Sequence, residues 1–302
     1  MTNQTTNSYF YICWLSDCLS KHPILSLVFL LIYLIGLSGN IILILVTFFD
    51  SHLQTPMYFF LRNLSFVDIC YISATIPKLM DIFLTGNNAI PFKLCFTQMG
   101  IFIAIATTEV FLLTFMAYDR YVAICKPLSY LHVMNERMNI LLVLASWMFG
   151  VVNSVFLTTF VSQLYFCYSQ KIQHLFCDIK ALLNISCNYS KYFQIMLYLE
   201  VLFVGFCPFL LNLASYVKII ISVLKSTLGR WKTFSTCTSH LTVLLLFYGT
   251  SICMYIKPLS DHFEKRDQLF TVLYVAVTPM LNPIIYSLRN KEVKKILRKL
   301  LP

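Results

Sequence analysis

Long apolar stretches alternate with short polar connections along the whole chain, and seven of them stand out. They lie near residues 24–49, 57–83, 95–125, 140–166, 192–217, 234–256 and 269–288. Each is at least as long as the roughly 20 residues that a helix needs to cross about 30 Å of hydrocarbon. The pattern therefore predicts an all-α membrane protein, in which residues 1–302 form a single seven-transmembrane helix bundle.

Both ends of the chain are polar: residues 1–23 precede the first span and residues 289–302 follow the last. In a helix over residues 291–301, apolar and basic side chains would face opposite sides. The apolar side would consist of Val293, Ile296, Leu297, Leu300 and Leu301. This spacing predicts a short amphipathic cytoplasmic eighth helix that lies on membrane lipid. A basic stop-transfer tail without a helix fits the same residues equally well.

Composition supports the membrane assignment, since 58% of the residues are hydrophobic and only 12% are charged. The net charge of +10 has to be compared with the predicted topology. If the amino terminus is extracellular, 14 of the 23 Lys and Arg residues lie on the cytoplasmic side. This is the distribution of the positive-inside rule, so the carboxyl terminus is predicted to be cytoplasmic and no nucleic-acid partner is needed.

Three sequons fall on the outer side in this topology: Asn3, Asn184 and Asn188 each begin an Asn-x-Ser/Thr triplet. We expect these residues to be glycosylated. Asn63 also begins such a triplet, but it lies at the inner end of the second span, where no glycosylating enzyme reaches it.

Six of the 11 cysteines are predicted to lie in the oxidising outer compartment. They are Cys13, Cys18, Cys95, Cys167, Cys177 and Cys187. Because no close Cys-x-x-Cys pair occurs among them, disulfides are favoured over a metal site. Spacing alone leaves the connectivity open, including whether Cys13 pairs with Cys18.

Short motifs occur on nearly every span. They are GN at 39–40, PMYFFLRNLSFVD at 56–68, MAYDRYVAIC at 116–125, SY at 215–216, KTFSTCTSHL at 232–241 and PMLNPIIYSLRN at 279–290. Together, and in this order, they resemble the signatures of vertebrate olfactory (odorant) receptors, a branch of the rhodopsin-like G-protein-coupled receptors. The resemblance extends from the first span to the end of the chain. It implies that Cys95 pairs with Cys177 and Cys167 with Cys187.

The resemblance implies a function for the whole chain. Such a receptor binds a small volatile or amphipathic odorant within its helix bundle, at the plasma membrane. It then activates a heterotrimeric G protein of the olfactory stimulatory type and raises cyclic AMP. An enzyme is not expected, because His240 is the only His within the predicted spans and no Ser-His-Asp set is present. A transporter or ion channel with intramembrane carboxylates is the alternative, but the spans show no internal repeat.

Seven residues match the coupling and switch positions of that receptor class: Asp119, Arg120, Tyr121, Tyr216, Asn282, Pro283 and Tyr286. An Arg at a helix end in a membrane is costly to bury unless it is paired, so Asp119 and Arg120 are predicted to form a latch. A simple Arg that reaches towards the membrane surface is the other interpretation. Pro283 lacks an N–H and would kink the seventh helix next to Tyr286.

Two carboxylates, Asp68 and Glu109, are predicted to lie in mid-span, where an ionised group costs roughly 2.5 to 3.5 kcal/mol. By resemblance they belong to a polar core that binds Na⁺, and no other cofactor or metal is expected. Protonated, hydrogen-bonded carboxyls without an ion explain the same residues equally well.

A ligand pocket is predicted between the third, fifth and sixth spans. Helical spacing places Phe102, Ile103, Ala106 and Thr107 on one face of the third span, although such a stripe alone is more typical of helix packing. The resemblance adds Glu200, Val204, Tyr248, Ser251, Ile252 and Tyr255. Glu200 would favour an amine or another strong hydrogen-bond donor, but pairing of Glu200 with Lys191 or Lys257 is the more ordinary expectation.

Overall fold

The structure is a computed structural model, and it is mostly helical. It describes residues 9–13, 21–50, 53–166, 170–188, 191–225, 230–255, 265–289, 293–294 and 296. The long helices are α1 (Pro23–Phe49), α2 (Pro56–Thr85), α3 (Phe92–Cys125), α5 (Glu136–Ser162), α8 (Cys207–Leu224) and α9 (Arg230–Tyr255). The shorter helices are α4 (Tyr130–Val133), α6 (Ile179–Asn184), α7 (Lys191–Glu200), α10 (Lys265–Val272) and α11 (Thr278–Arg289).

Two π-helical turns join some of these helices into longer segments. Val201–Phe206 connects α7 to α8, and Leu273–Val277 connects α10 to α11. Five helical segments of the described chain are long and apolar enough to cross a membrane. They are Pro23–Phe49, Phe92–Cys125, Glu136–Ser162, Lys191–Leu224 and Leu269–Tyr286. A shorter apolar stretch, Cys237–Cys253, lies within α9.

The ends of the helices follow from local sequence. Pro23 and Pro56 occupy the first turns of α1 and α2. The N–H groups of a first turn have no acceptor within the helix, so the missing N–H of proline costs no hydrogen bond there. Gly86 ends α2 with a φ of 79°, a left-handed conformation that glycine adopts at low cost. The Asn135 side chain accepts a hydrogen bond of 2.9 Å from the Met138 N–H and so caps α5, which explains why this helix begins four residues before the predicted span. The helix also ends four residues before that span.

The third helix occupies the centre of the bundle. In its most apolar stretch 67% of the residues are buried, compared with 22% in α1. It packs against α2, α5 and α8, while α1 packs against α2 and α11. Gly150 lets α5 approach α3 closely, because a Cβ there would collide with the Thr108 hydroxyl and the Ala104 carbonyl.

A small sheet lies at the end of the bundle that is predicted to face outward, and it is an addition to the predicted helical fold. Strand β1 (Tyr9–Ile12) pairs antiparallel with β2 (Ala89–Pro91) and parallel with β3 (Lys171–Ile172). Phe10 is fully buried, and its ring lies 4.1 Å from that of Phe92 and 5.1 Å from that of Phe166. The alternating burial in β1 is a strand pattern, but four residues are too few to reveal it in sequence. The predicted amphipathic helix over 291–301 lies almost wholly outside the described residues.

Candidate functional site

The outer end of α3 is tied to the loop that follows α5. Cys95 and Cys177 form a disulfide with a Cα–Cα distance of 5.4 Å, which is the pair that the resemblance implies. The Cys177 N–H also donates to the side-chain oxygen of Gln98 over 3.1 Å. Cys13 and Cys187 are disulfide-bonded as well, whereas Cys18 and Cys167 lie outside the described residues. Within the described part of the chain, no cluster of potential metal ligands is found.

Just below the disulfide, Phe102 belongs to a cluster of aromatic rings. Its ring centroid lies 4.4 Å from that of Phe176 in the outer loop and 5.1 Å from that of Tyr71 in α2. Ile103 and Thr107 are also buried, and Ala106 is half-buried. The outer half of α3 is thus enclosed partly by helices and partly by the disulfide-tethered loop.

A polar cluster joins three helices at the level of Thr107. The amide nitrogen of Asn153 in α5 donates to the Thr107 hydroxyl over 3.0 Å and to Oε1 of Glu200 over 2.7 Å. The carboxylate of Glu200 therefore bonds to Asn153 and forms no ion pair with Lys191 among the described residues. The other expected partner, Lys257, lies outside the described residues. Sequence reasoning missed Asn153, although a polar amide in the middle of an apolar span was a visible signal.

A groove of about 310 Å³ adjoins this cluster. It is lined by Thr107, Phe111, Phe149, Val152, Asn153, Phe156, Phe203 and Val204. Thr107 and Val204 are members of the predicted pocket, and the other lining residues were not expected. Whether the α5 residues among them line a groove depends on the rotation of α5 about its axis, which sequence alone does not determine.

The pocket residues expected on the sixth span are only partly brought together. Tyr248 is buried, and its hydroxyl accepts a hydrogen bond of 3.0 Å from Asn212, which also donates to Thr114 over 3.3 Å. Ser251 is half-buried, whereas Ile252 is 47% exposed and is not enclosed with the others. Tyr255 ends α9, and its side chain lies outside the described residues.

A buried polar core lies between α1, α2, α3 and α11. The Asn282 amide donates to both carboxylate oxygens of Asp68, and the Asn40 amide donates to the Pro279 carbonyl over 3.1 Å. Glu109 is buried and interacts electrostatically with Asp68. Among the described residues, several buried oxygens of this core have no hydrogen-bond partner. They are Oδ1 of Asn40, Oε1 of Glu109, Oδ1 of Asn282 and the Tyr286 hydroxyl. Oxygen atoms of this kind suit a hard cation or water.

At the inner end of α3, Arg120 pairs with the neighbouring Asp119. The Arg120 Nε donates to Oδ2 of Asp119 over 2.9 Å, and the terminal guanidinium nitrogen donates to the same oxygen. The other carboxylate oxygen of Asp119 accepts a hydrogen bond of 2.8 Å from the Tyr130 hydroxyl in α4. Burial raises the pKa of Tyr130 above its ordinary value, so this phenol stays protonated and continues to donate.

Other residues that were predicted to act in the switch join the fifth and sixth helical segments at the same level. The Tyr216 hydroxyl lies 2.7 Å from Nδ1 of His240, and both side chains are buried. Tyr121 lies under the Lys218 ammonium, which is 5.4 Å from the ring centroid. Pro283 falls inside α11, and Tyr286 on the same helix is buried. Sequence reasoning did not identify His240 or Tyr130 as contacts of these residues.

Comparisons with known proteins give one consistent result. A family model described as olfactory receptor matches residues 29–302. The chain is 44% identical to olfactory receptor 1f45 of Rattus norvegicus over 302 residues, which cover 99% of this chain and 96% of that relative. It is 46% identical to human olfactory receptor 7A10, over 88% of this chain and 87% of that relative. Human olfactory receptor 1F1 is 45% identical over 99% of this chain and 96% of its own length.

Proposed function

Because the chain belongs to the olfactory receptor family, we propose that it binds a small volatile or amphipathic odorant among its membrane-spanning helices. Binding activates a heterotrimeric G protein of the olfactory stimulatory type, which raises cyclic AMP. The family itself consists of multi-pass plasma-membrane receptors that respond to odorants through G proteins and are not enzymes. A transporter or channel is not favoured.

The proposed topology has seven spans, an extracellular amino terminus, and a cytoplasmic tail that forms an eighth helix on the membrane surface. The concentration of Lys and Arg on one side supports this orientation. So does the Cys95–Cys177 disulfide, because it forms at the end of α3 that is proposed to face the oxidising compartment. Asn184 and Asn188 are exposed at this same end, as glycosylation of these residues requires, and Asn3 lies outside the described residues.

The observation that carries the proposal is that one central helix, α3, contributes residues both to the predicted ligand pocket and to the pair of Asp119 and Arg120. Thr107 contacts Asn153 in the outer half of α3, and Arg120 pairs with Asp119 at its inner end. With a rise of 1.5 Å per residue, the two positions are about 20 Å apart along the helix. A ligand that displaces α3 against α5 and α8 therefore also acts on the latch.

We take the arrangement at the proposed inner ends of the helices as the closed state of the receptor, because specific hydrogen bonds join these ends. Asp119 accepts hydrogen bonds from both Arg120 and Tyr130, and Tyr216 is hydrogen-bonded to His240. Activation requires a second state in which Arg120 is released towards the G protein. A ligand favours that state only by binding to it more tightly than to the closed state. The kink at Pro283 allows Tyr286 to move between the two arrangements.

We assign a regulatory Na⁺ to the polar core around Asp68 and Glu109. The unpartnered oxygens of Asn40, Glu109 and Asn282 support this assignment, because a hard cation takes oxygen ligands. A bound Na⁺ would offset the repulsion between the two buried carboxylates and so favour the closed state.

The test is cyclic AMP accumulation in cells that express the chain with an olfactory-type stimulatory G protein. The cells are exposed to an odorant panel that includes amines, and the Arg120→Ala variant is compared at equal surface expression. The proposal predicts a concentration-dependent response to some odorants, which is lost in Arg120→Ala. An equal response in Arg120→Ala, or in cells without the chain, would contradict it.

A further inference from the structure

The groove beside Thr107 opens towards the outside of the helix bundle. It lies between α3, α5 and the π-helix Val201–Phe206, and it has a volume of about 310 Å³. Volumes of this size are at the lower end of those that hold small organic ligands. Its walls are almost entirely apolar, and aromatic rings are prominent among them. The groove is therefore suited to the tail of an apolar or amphipathic molecule.

Membrane lipid covers the mouth of this groove in the proposed topology. The rim consists of Phe149, Val152, Phe156 and Phe203, each of which is more than half exposed on the bundle surface. These positions lie in spans α5 and Lys191–Leu224, so they face acyl chains rather than water. A molecule that dissolves in the bilayer can reach the groove laterally, without passing the disulfide-tethered loop at the outer end.

The polar floor of the groove consists of Thr107 and Asn153, which belong to its lining, and of Glu200, which adjoins the lining through Asn153. The Asn153 amide nitrogen already donates to Thr107 and to Oε1 of Glu200. The second carboxylate oxygen of Glu200, Oε2, has no hydrogen-bond partner within the described ranges of the chain. A carboxylate in apolar surroundings is stabilised by a cationic donor, and an ammonium group forms stronger hydrogen bonds with it than a neutral amide does.

The helix next to this floor is irregular and loosely packed. The π-helix begins directly after Glu200, and π-turns are frequent at functional sites because they redirect the side chains around them. A Cβ added at Gly205 would meet no atom within 4 Å. Of the ten residues of α7, only Phe193 is buried. The outer part of this helical segment is therefore mostly exposed on the bundle surface, where it meets lipid in the proposed topology.

We propose that this groove binds an amphipathic primary amine, which enters it from the lipid and places its ammonium group against Glu200 and Thr107. The apolar tail lies along Phe149, Val152 and Phe156, and the rim residue Phe203 closes the other side. The inference rests on the proposed odorant-receptor function, because Thr107 and Glu200 also belong to the predicted odorant pocket. It adds the class of ligand and the route by which the ligand arrives.

Photolabelling in native-like membranes tests this site without a G protein. The probe is a long-chain primary amine with a diazirine in its tail, and the matched probe carries a methyl ether instead of the amine. Mass spectrometry then locates the labelled residues. We expect the amine to label the rim residues about tenfold more strongly than the ether does, as one charge-assisted hydrogen bond would give.

Matched variants separate a specific site from general contact with lipid. Val152→Trp fills the groove, whereas Val155→Trp places the same side chain on an exposed position of α5 outside the lining. Labelling by the amine is expected to be lost in Val152→Trp and kept in Val155→Trp. Equal labelling by the two probes, label spread over the whole lipid-facing surface, or equal labelling of the two variants would overturn the proposal.

The labelling result is independent of the signalling result. If the label is confined to the groove but no odorant raises cyclic AMP, the site stands and the proposed coupling fails. If an amine raises cyclic AMP equally well in Val152→Trp and in the unmodified chain, the proposed function stands and the lateral site is refuted. Both variants alter positions that are already exposed, so the bundle core is unchanged in each.

Discussion

The side-chain amide of Asn282 lies 3.1 and 3.0 Å from the two carboxylate oxygens of Asp68. These residues are 214 positions apart in the chain, and both are buried. Their contact joins α2 to α11 at the level of Glu109 and Asn40, where several oxygens have no partner among the described residues. The bond therefore connects the second and seventh spans directly within this core.

The first prediction concerns Na⁺. Replacing choline by Na⁺ should raise the melting temperature of the receptor in nanodiscs, because an ion that binds only the folded core stabilises it. At Na⁺ about tenfold above its Kd, the gain is about 1.4 kcal/mol, or roughly 3 °C. Asp68→Asn should abolish the shift. Asp81→Asn is the control, since Asp81 is partly exposed and contacts only Lys78 and Thr85 among the described residues, both on the same helix. An Na⁺ shift that persists in Asp68→Asn would exclude this core as the site.

The second prediction concerns the outer disulfide. Cys95→Ser, Cys177→Ser and the double variant should each lose most of their surface expression, because the crosslink restricts a long loop of the unfolded chain, typically by about 2 to 4 kcal/mol. The double variant should be no worse than either single one. Flow cytometry with an amino-terminal tag measures the surface level. Cys253→Ser, at an exposed free cysteine, should express normally, and an equal loss there would show a general sensitivity to cysteine replacement.

The third prediction concerns the approach of α5 to α3. Gly150→Ala should lower the melting temperature, because its Cβ collides with a backbone carbonyl and overpacking of this kind costs about 1 to 3 kcal/mol. Gly205→Ala is the matched control, since an added Cβ at that position meets nothing within 4 Å. We expect no loss of stability in the control. Equal melting temperatures of the two variants would contradict the close packing at Gly150.

The fourth prediction concerns the hydrogen bond between Tyr130 and Asp119. Tyr130→Phe removes only the hydroxyl that holds Oδ1 of Asp119, and so weakens the closed state of the latch. A loss of about 1 kcal/mol would raise basal cyclic AMP roughly fivefold at equal surface expression. Tyr118→Phe, at an exposed tyrosine on the same helix as Asp119, should leave the basal level unchanged. A basal level that is unaffected in Tyr130→Phe would show that this bond does not restrain activation.

The helices could be predicted from sequence because length and apolar composition largely determine them in a membrane. The residues of each predicted span are largely helical in the described chain, but only five helical segments are long and apolar enough to cross a membrane, so the count of seven spans stays a prediction. The strand Tyr9–Ile12 was not predicted, since its pairing with β2 and β3 depends on how the outer loops fold over the bundle.

The polar contacts between helices could be predicted only in part. Motif resemblance identified Asp68, Asn282, Asp119 and Arg120, but sequence did not identify Tyr130 as the partner of Asp119 or Asn153 as the partner of Glu200. Such partners depend on the rotation and tilt of each helix, which many weak packing contacts determine together. For the same reason, the rim residue Val152 could not be assigned to a groove before the position of α5 was known.

The central claim is that a ligand bound among the helices releases Arg120 to a stimulatory G protein. The most direct test is GDP–GTP exchange on purified olfactory-type stimulatory G protein, with the receptor in nanodiscs and an odorant identified in cells. The account predicts that the odorant accelerates exchange on this G protein, and that Arg120→Ala removes the acceleration while odorant binding persists. Odorant binding without any acceleration of exchange, or the same acceleration in Arg120→Ala, would contradict it.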